Sequence, residues 1–188
     1  LADISTFSLY PGKNLGAYGD AGIITTNNKK LYLIMRKLRN LGSEVKFKHE
    51  LVGMNSRLDT LQAVILNHKL NKLSKLNSKR KKIADNYDKK INNKKILKLT
   101  YSKNSVYHQY VILVKKRNEL IKYLKKSNIQ YGFHYPYAIH ELQVFKGYFK
   151  DEKFPNSEML SKYGISIPID PNLTKKQISY VINKLNSF

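Results

Sequence analysis

Two side chains with reactive heteroatoms, Ser8 and Lys13, lie five residues apart in the stretch Ser5-Thr-Phe-Ser-Leu-Tyr-Pro-Gly-Lys13. A strand-like run ends in a Pro-Gly turn just before Lys13, and a glycine-rich loop follows it up to Gly22. A serine hydroxyl beside loop amides can hold a phosphate, and a lysine amine in a partly dry pocket can form a Schiff base. The residues themselves leave two plainer alternatives open, an exposed turn lysine and an ordinary strand serine.

The elements around this loop predict an α/β sheet domain. Residues 5–10 and 21–26 are typical of strands, and apolar residues at helical spacing follow the helix-start signal Asn27-Asn28 up to Gly42. We expect strand, loop, strand and helix to belong to one sheet domain. Because residue 1 already lies in strand-like sequence, we also expect the chain to start partway through that domain.

A long amphipathic helix is predicted to begin at Asp59 and to end near Ile91, after an irregular polar segment over residues 43–57. Its apolar residues recur at steps of three, four or seven, as a helix with one buried face requires. They are Leu66, Leu70, Leu73, Leu76, Ile83, Tyr87 and Ile91. Such a helix would connect or brace two lobes.

The last part of the chain predicts a second, α+β lobe. Thr174 has the residue type and place of an N-cap for a final helix, and Pro168 marks the strand before it as an edge strand. The predicted elements are a strand over Tyr107–Val114, a helix over Arg117–Lys126, a strand over Ile129–His134, a strand over Gly164–Pro168 and the final helix.

Composition excludes several classes of protein. The 188 residues are 41% hydrophobic and contain no cysteine, and no apolar run approaches the roughly 18 residues of a membrane span. The formal charge of +22 comes from scattered basic residues, so nucleic-acid binding is the least favoured alternative. No residue cluster indicates a metal site, and His49, His68 and His108 are interpreted as surface or packing residues. We predict a cytoplasmic protein without a membrane partner.

Five segments resemble the DegT/DnrJ/EryC1/StrS family of sugar aminotransferases, in the order and at the spacing of that family. The resemblance covers nearly the whole chain, and its two long segments are far more specific together than one motif. The segments are Ser8–Gly22 around Lys13, Leu38–Gly42, Gly53–Ala63, His134-Tyr-Pro136 with His140, and Ile165–Ile169.

The resemblance implies a partial fold-type I aminotransferase, an α/β fold in which this chain is similar to the C-terminal half of the family's members. Residues 1–58 would form the end of the large domain's sheet and residues 59–93 the long connecting helix. Residues 94–188 would form the small C-terminal α+β domain. The missing half would supply most of the cofactor pocket, so we expect a fragment whose activity on its own is an open question.

The resemblance also assigns roles around pyridoxal 5′-phosphate, the family's cofactor. Lys13 matches the lysine that binds the cofactor aldehyde as a Schiff base and later moves the substrate proton. Ser8 matches the hydroxyl that binds the cofactor phosphate. Asn55 matches an asparagine that reaches the phosphate of the neighbouring subunit, which implies a homodimer with a shared active site. A helix cap is the alternative role for Asn55.

Three residues of the last lobe match the loop that lines the substrate side in the family: His134, Tyr135 and His140. A purely structural role, as a strand end packed on Pro136, is the alternative for His134 and Tyr135. This chain departs from the family's common pattern at Phe47-Lys48-His49 and at Ala138-Ile139. These departures concern the sugar that fits and leave the chemistry unchanged.

The implied reaction is transfer of an amino group, from glutamate, to a keto group on a nucleotide-linked sugar for surface-polysaccharide or deoxysugar synthesis. Arg39–Ser43 with Gly53–Arg57 most resembles members that act on dTDP-3-keto-6-deoxyhexoses, rather than on 4-keto sugars. The alternatives are a non-catalytic remnant or interaction module and, less favoured, a basic nucleic-acid-binding protein.

Overall fold

The computed structural model describes residues 2–150 and 152–188, and it has a mixed α/β fold. The chain forms two compact units, residues 1–75 and 76–188. The boundary lies inside the long helix α2, Thr60–Lys90, so each unit includes one part of that helix. In the described part of the chain, no helix is long and apolar enough to cross a membrane.

The first unit begins with an antiparallel strand pair, β1 (Ser5–Ser8) and β2 (Gly22–Thr25). Both strands were predicted, and each is shorter than the predicted range. Ser8 is opposite Gly22 in the register, so the residues between them form one closed loop that contains Lys13. The strand pair therefore determines where the lysine loop starts and ends.

Helix α1 spans Lys29–Leu38, as the helical spacing and the Asn27-Asn28 signal predict. The Asn28 side chain caps it by accepting hydrogen bonds from the backbone N–H groups of Lys30 and Leu31. A short hairpin follows, formed by β3 (Ser43–Val45) and β4 (Lys48–His49). The prediction of an irregular segment was wrong here. The turn contains Phe47 at φ +69, a conformation that sequence patterns seldom indicate for an aromatic residue.

Helix α2 begins and ends within one residue of the prediction. Leu66, Ile83 and Tyr87 of the predicted stripe are buried, but Leu70 is 52% exposed. In the first unit, Leu66 forms a buried cluster with Leu9 and Ala17. Leu66 is therefore buried by the loop that contains Lys13, whereas Ile83 and Tyr87 belong to the core of the second unit, a difference that periodicity alone does not show.

The second unit contains a three-stranded antiparallel sheet in the order β5 (Leu97–Lys98), β6 (Tyr110–Leu113) and β7 (Gly164–Ile167). Three α-helices accompany the sheet: α3 (Arg117–Lys126), α4 (Pro155–Tyr163) and α5 (Lys175–Asn186). Two 3-10 helices, Ile139–Glu141 and Gln143–Phe145, precede α4. The core of this unit includes Tyr110, Ile112, Leu120, Leu124, Ile165 and Leu185, all fully buried.

Several predictions for this unit are confirmed and others need correction. Helices α3 and α5 are present, and Thr174 caps α5. The segment 129–134 is not a strand, because only Gly132 pairs, in an isolated bridge with Ser166. Strand β6 begins three residues later than predicted, since Tyr107 has φ +46 and leaves the extended region. Helix α4 was not predicted, because most of its residues are exposed and it has no apolar stripe.

Candidate active site

The loop that contains Lys13 is held at its start and end by backbone hydrogen bonds. The Leu9 N–H donates to the Ala21 carbonyl at 2.9 Å, and the Ala17 N–H donates to the Leu9 carbonyl at 2.8 Å. Leu9 and Ala17 are buried together with Leu66 of α2. Apolar burial and paired amides therefore hold both ends of the loop.

Gly16 lets the loop close tightly next to Lys13. A Cβ atom built on Gly16 would lie 2.3 Å from the Pro11 carbonyl oxygen, a distance that no side chain can occupy. The Lys13 N–H donates to the Tyr10 carbonyl at 2.8 Å, which closes the Pro-Gly turn. The half-buried Lys13 thus lies on a compact turn instead of a free loop.

Helix α2 holds the far side of the same loop within the first unit. The Gln62 side-chain oxygen accepts the Tyr18 N–H at 2.8 Å. The Lys69 ammonium donates to the Gly16 carbonyl at 2.6 Å and lies 4.4 Å from the centre of the Tyr18 ring, a distance suited to a cation–π contact. These three contacts fix the loop against the helix.

Ser8 ends strand β1, and its exposed hydroxyl oxygen accepts the Tyr10 N–H at 3.4 Å. The described residues thus place a phosphate-binding type of hydroxyl and a primary amine at the start and on the turn of one anchored loop. This donor set fits pyridoxal 5′-phosphate, which has a phosphate at one end and an aldehyde that condenses with an amine. The aldehyde would bind Lys13, and the phosphate would bind Ser8.

Asn55 lies in an isolated antiparallel bridge with Asn40. The bridge requires Gly53, because a Cβ there would lie 2.2 Å from the Gly42 backbone nitrogen. The segments around residues 40 and 55, which the resemblance singles out, are thus paired in the structure. Helix α2 begins five residues after Asn55, so its role as a helix cap is excluded. The Asn55 side chain is exposed and available for a ligand.

His134 and Tyr135 lie together in the second unit, with ring centres 5.7 Å apart. His134 Nδ1 is 2.8 Å from the hydroxyl oxygen of Ser166, a buried residue of β7. Tyr135 is 71% exposed. Both side chains are therefore accessible from solvent, and only that of His134 is held by a hydrogen bond to a buried residue.

His140 has a different kind of support. Its ring lies 4.7 Å from the Phe154 ring, and its Nε2 is 3.4 Å from a carboxylate oxygen of Glu158 on α4. Neither Ser166 nor Glu158 was predicted as a site residue from the sequence. A lone serine between isoleucines in Gly164–Ile167 was a usable signal, because a polar residue in a buried strand normally has a hydrogen-bond partner. Glu158 had no such signal.

The structure places Ser8, Lys13 and Asn55 in the first unit and His134, Tyr135 and His140 in the second. Ser8 and Lys13 share one loop, and Asn55 lies in a separate paired segment. The described residues contain no group of three or more His, Cys, Asp or Glu side chains that could hold a metal ion.

Comparisons with known proteins agree on one family. The family model for DegT/DnrJ/EryC1/StrS aminotransferases matches residues 1–186. A "Pleiotropic regulatory protein" of Geobacillus stearothermophilus is 36% identical over 100% of this chain and 52% of its own length. A dTDP-3-amino-3,6-dideoxy-alpha-D-galactopyranose transaminase of Aneurinibacillus thermoaerophilus is 40% identical over 96% of this chain and 55% of its own.

Solved structures show the same fold. The structure of DesV from S. venezuelae, described as a complex with a ketimine intermediate, superposes with a TM-score of 0.93 at 33% identity. The superposition covers 98% of this chain and 51% of DesV. The chain thus spans about half the length of the relatives it matches. It belongs to the DegT/DnrJ/EryC1/StrS aminotransferase family, whose members depend on pyridoxal 5′-phosphate.

Proposed function

We propose that the protein acts as a pyridoxal-phosphate-dependent aminotransferase on a nucleotide-linked keto sugar. The observation that carries this proposal is the anchored loop of the first unit, which has the Ser8 hydroxyl at its start and the Lys13 amine on its turn. A surface lysine without a function would not require a loop with a buried start, a turn that depends on a glycine and contacts to a helix. The family membership supports the same function.

Each residue of the loop has a chemical role in the proposal. Lys13 would hold the cofactor through its aldehyde, and the Lys13 amine would carry a proton to and from the substrate carbon. Ser8 donates a hydrogen bond to the cofactor phosphate. The bound cofactor supplies the electron sink that makes this proton labile. The contacts from Gln62 and Lys69 keep the Lys13 turn in place during these steps.

We propose that the active site is shared between two copies of the chain. Asn55 would reach the cofactor phosphate of the neighbouring subunit, which its exposed side chain permits. His134, Tyr135 and His140 would line the substrate side. Under the same proposal, residues 1–58 are the end of the large domain, 59–93 the connecting helix and 94–188 the small domain.

Relatives that act on dTDP-linked 3-amino sugars support a dTDP-3-keto-6-deoxyhexose as the substrate. We propose glutamate as the amino donor and surface-polysaccharide or deoxysugar synthesis as the pathway class. The cytoplasmic location stays a prediction from the sequence. The preference for a 3-keto over a 4-keto sugar is tested by comparing amination of the two substrates.

The decisive experiment locates the cofactor-binding lysine. The protein is incubated with equimolar pyridoxal phosphate, reduced with borohydride and digested, and the modified lysine is found by mass spectrometry. We expect modification at Lys13, and we expect prior incubation with glutamate to prevent it, because transamination releases the lysine. Lys13→Ala should abolish the glutamate-sensitive labelling, whereas Lys30→Ala, a change at an exposed lysine of α1, should not.

Labelling spread over many lysines and insensitive to glutamate would contradict the proposal. It would favour a second candidate, a non-catalytic regulatory or interaction protein. One observation points to that candidate, since relatives named "Pleiotropic regulatory protein" and "Erythromycin biosynthesis sensory transduction protein EryC1" are 36% and 34% identical. The glutamate-dependent step therefore separates the two candidates.

A further inference from the structure

Ser166 is a polar residue in an otherwise apolar, buried strand. It is 4% exposed and lies between Ile165 and Ile167, which are both buried. A buried hydroxyl without a partner is costly, so its presence needs a reason. Among the described residues, its one hydrogen-bond partner is His134, with Nδ1 and Oγ 2.8 Å apart.

The backbone reinforces this contact. The Gly132 N–H donates to the Ser166 carbonyl at 3.0 Å, and the Ser166 N–H donates to the Gly132 carbonyl at 2.8 Å. A Cβ built on Gly132 would lie 2.8 Å from His134 Cε1. The imidazole ring therefore lies over Gly132, where a side chain on residue 132 would displace it. One strand residue thus holds both the segment and the ring.

The direction of the hydrogen bond follows from the requirement that the buried hydroxyl proton has an acceptor. A serine hydroxyl has one proton, and at this buried position His134 Nδ1 is its available acceptor. If the imidazole donated instead, the hydroxyl proton would be left unpaired in the core. On this ground we expect the neutral ring to accept at Nδ1 and to have its proton on Nε2.

We propose that Ser166 is a positioning residue that holds His134 in the Nε2–H tautomer, so that the ring donates a hydrogen bond to a substrate oxygen. The receiving group would be a keto, hydroxyl or phosphate oxygen of the nucleotide sugar. This inference rests on the proposed function for its substrate, but the tautomer is a property of the protein itself. Ser166 acts only through His134.

The test reads the tautomer directly by nuclear magnetic resonance of the protein labelled with nitrogen-15 at histidine. His134→Gln assigns the signal. At a pH where the ring is neutral, we expect the wild type to show one tautomer with the proton on Nε2. Ser166→Ala should give a mixture, and Ser166→Thr, which keeps a hydroxyl, should restore the single tautomer.

Ser161→Ala is the matched control. Ser161 is also a buried serine of the second unit, but its hydroxyl donates to the Glu158 carbonyl. Its loss should leave the His134 signal unchanged. If the wild type showed a mixture or the Nδ1–H tautomer, or if Ser166→Ala left the signal unchanged, the inference would be overturned.

Kinetics complete the test. Because only part of the Ser166→Ala population keeps the proton on Nε2, its KM for the nucleotide sugar should rise about two- to threefold, and KM for the amino donor should stay unchanged. Equal effects on both KM values, or none, would overturn the positioning role. A failure of the proposed function would look different, because no variant or wild type would transfer an amino group while the tautomer result would still stand.

Discussion

The chemistry proposed for Lys13 depends on where the backbone holds this residue, since the chain has 35 lysines and arginines in total. The turn formed by Tyr10 and Lys13, the Lys69 contact to Gly16 and the burial of Leu9 all restrict the backbone position of this lysine. Holding a nucleophile in place lowers the entropy that must be lost when it reacts. Gly16 is the residue on which this arrangement depends most directly, because the Pro11 carbonyl occupies the space of its missing side chain.

Gly16→Ala should open the loop and weaken both folding and cofactor binding. The added Cβ would overlap backbone atoms that cannot rotate away, so we expect a loss of about 2 kcal/mol in the free energy of unfolding. Gly12→Ala is the control, because its Cβ would meet only the Tyr10 ring at 3.8 Å. Urea unfolding and Lys13 labelling measure the two effects. If Gly16→Ala and Gly12→Ala had the same free energy of unfolding and the same Lys13 labelling, the Pro11 contact would not be what shapes the loop.

At the scale of elements, the sequence predicted what amphipathic periodicity and capping determine. Helix α5 was found because its apolar stripe follows Thr174, and α2 because its stripe extends over many turns. Hairpin β3–β4 was missed because its turn depends on a residue with positive φ. The segment 129–134 was misassigned because strand-like residue types do not determine backbone pairing, and there only Gly132 pairs, with Ser166 of β7.

The candidate site also has residues that the sequence predicted and residues that it did not. The segment match and the residue types indicated Ser8 and Lys13, since both lie on one short loop. The supports from Gln62, Lys69 and Ser166 come from residues far along the chain. Such contacts follow from tertiary packing, which local patterns do not encode. Only the buried serine had a signal that could have been used.

Thr174→Ala tests the capping of α5. The Thr174 hydroxyl accepts the Gln177 N–H at 3.2 Å, and the Gln177 side chain accepts the Thr174 N–H at 2.9 Å, which together form a capping box. Removing the hydroxyl should lower the free energy of unfolding by about 1 kcal/mol. Thr100→Ala, at an exposed threonine outside the helices, should have little effect. If thermal unfolding gave Thr174→Ala and Thr100→Ala the same midpoint, the capping role of Thr174 would be contradicted.

At the scale of the whole molecule, the charge of +22 affects every part of the chain. Mutual repulsion of this charge destabilises the compact state, and the loss of lysine charge above about pH 10 relieves it. The titration of buried tyrosines has the opposite effect, since it lowers the stability of the folded state as the pH rises. Burial raises the pKa of Tyr87 and of Tyr110, so the unfolded chain loses these protons first as the pH rises. Alkaline stability is therefore a balance between lysine and tyrosine titration.

Tyr87→Phe isolates the tyrosine contribution to this balance. At neutral pH the Tyr87 hydroxyl donates to the Pro168 carbonyl at 2.6 Å, and its loss should cost about 1 kcal/mol. Because the folded pKa is raised, this stabilisation is complete below about pH 10 and falls by about 1.4 kcal/mol per pH unit above it. Urea unfolding should therefore give the wild type a larger free energy of unfolding than Tyr87→Phe at pH 8, and no such difference near pH 11. Lysine titration is common to both proteins and cancels. Tyr137→Phe, at a 66% exposed tyrosine, is the control and should show no such loss of a stability difference with pH. The tyrosine contribution would be disproved if the wild type stayed more stable than Tyr87→Phe by a constant amount up to pH 11.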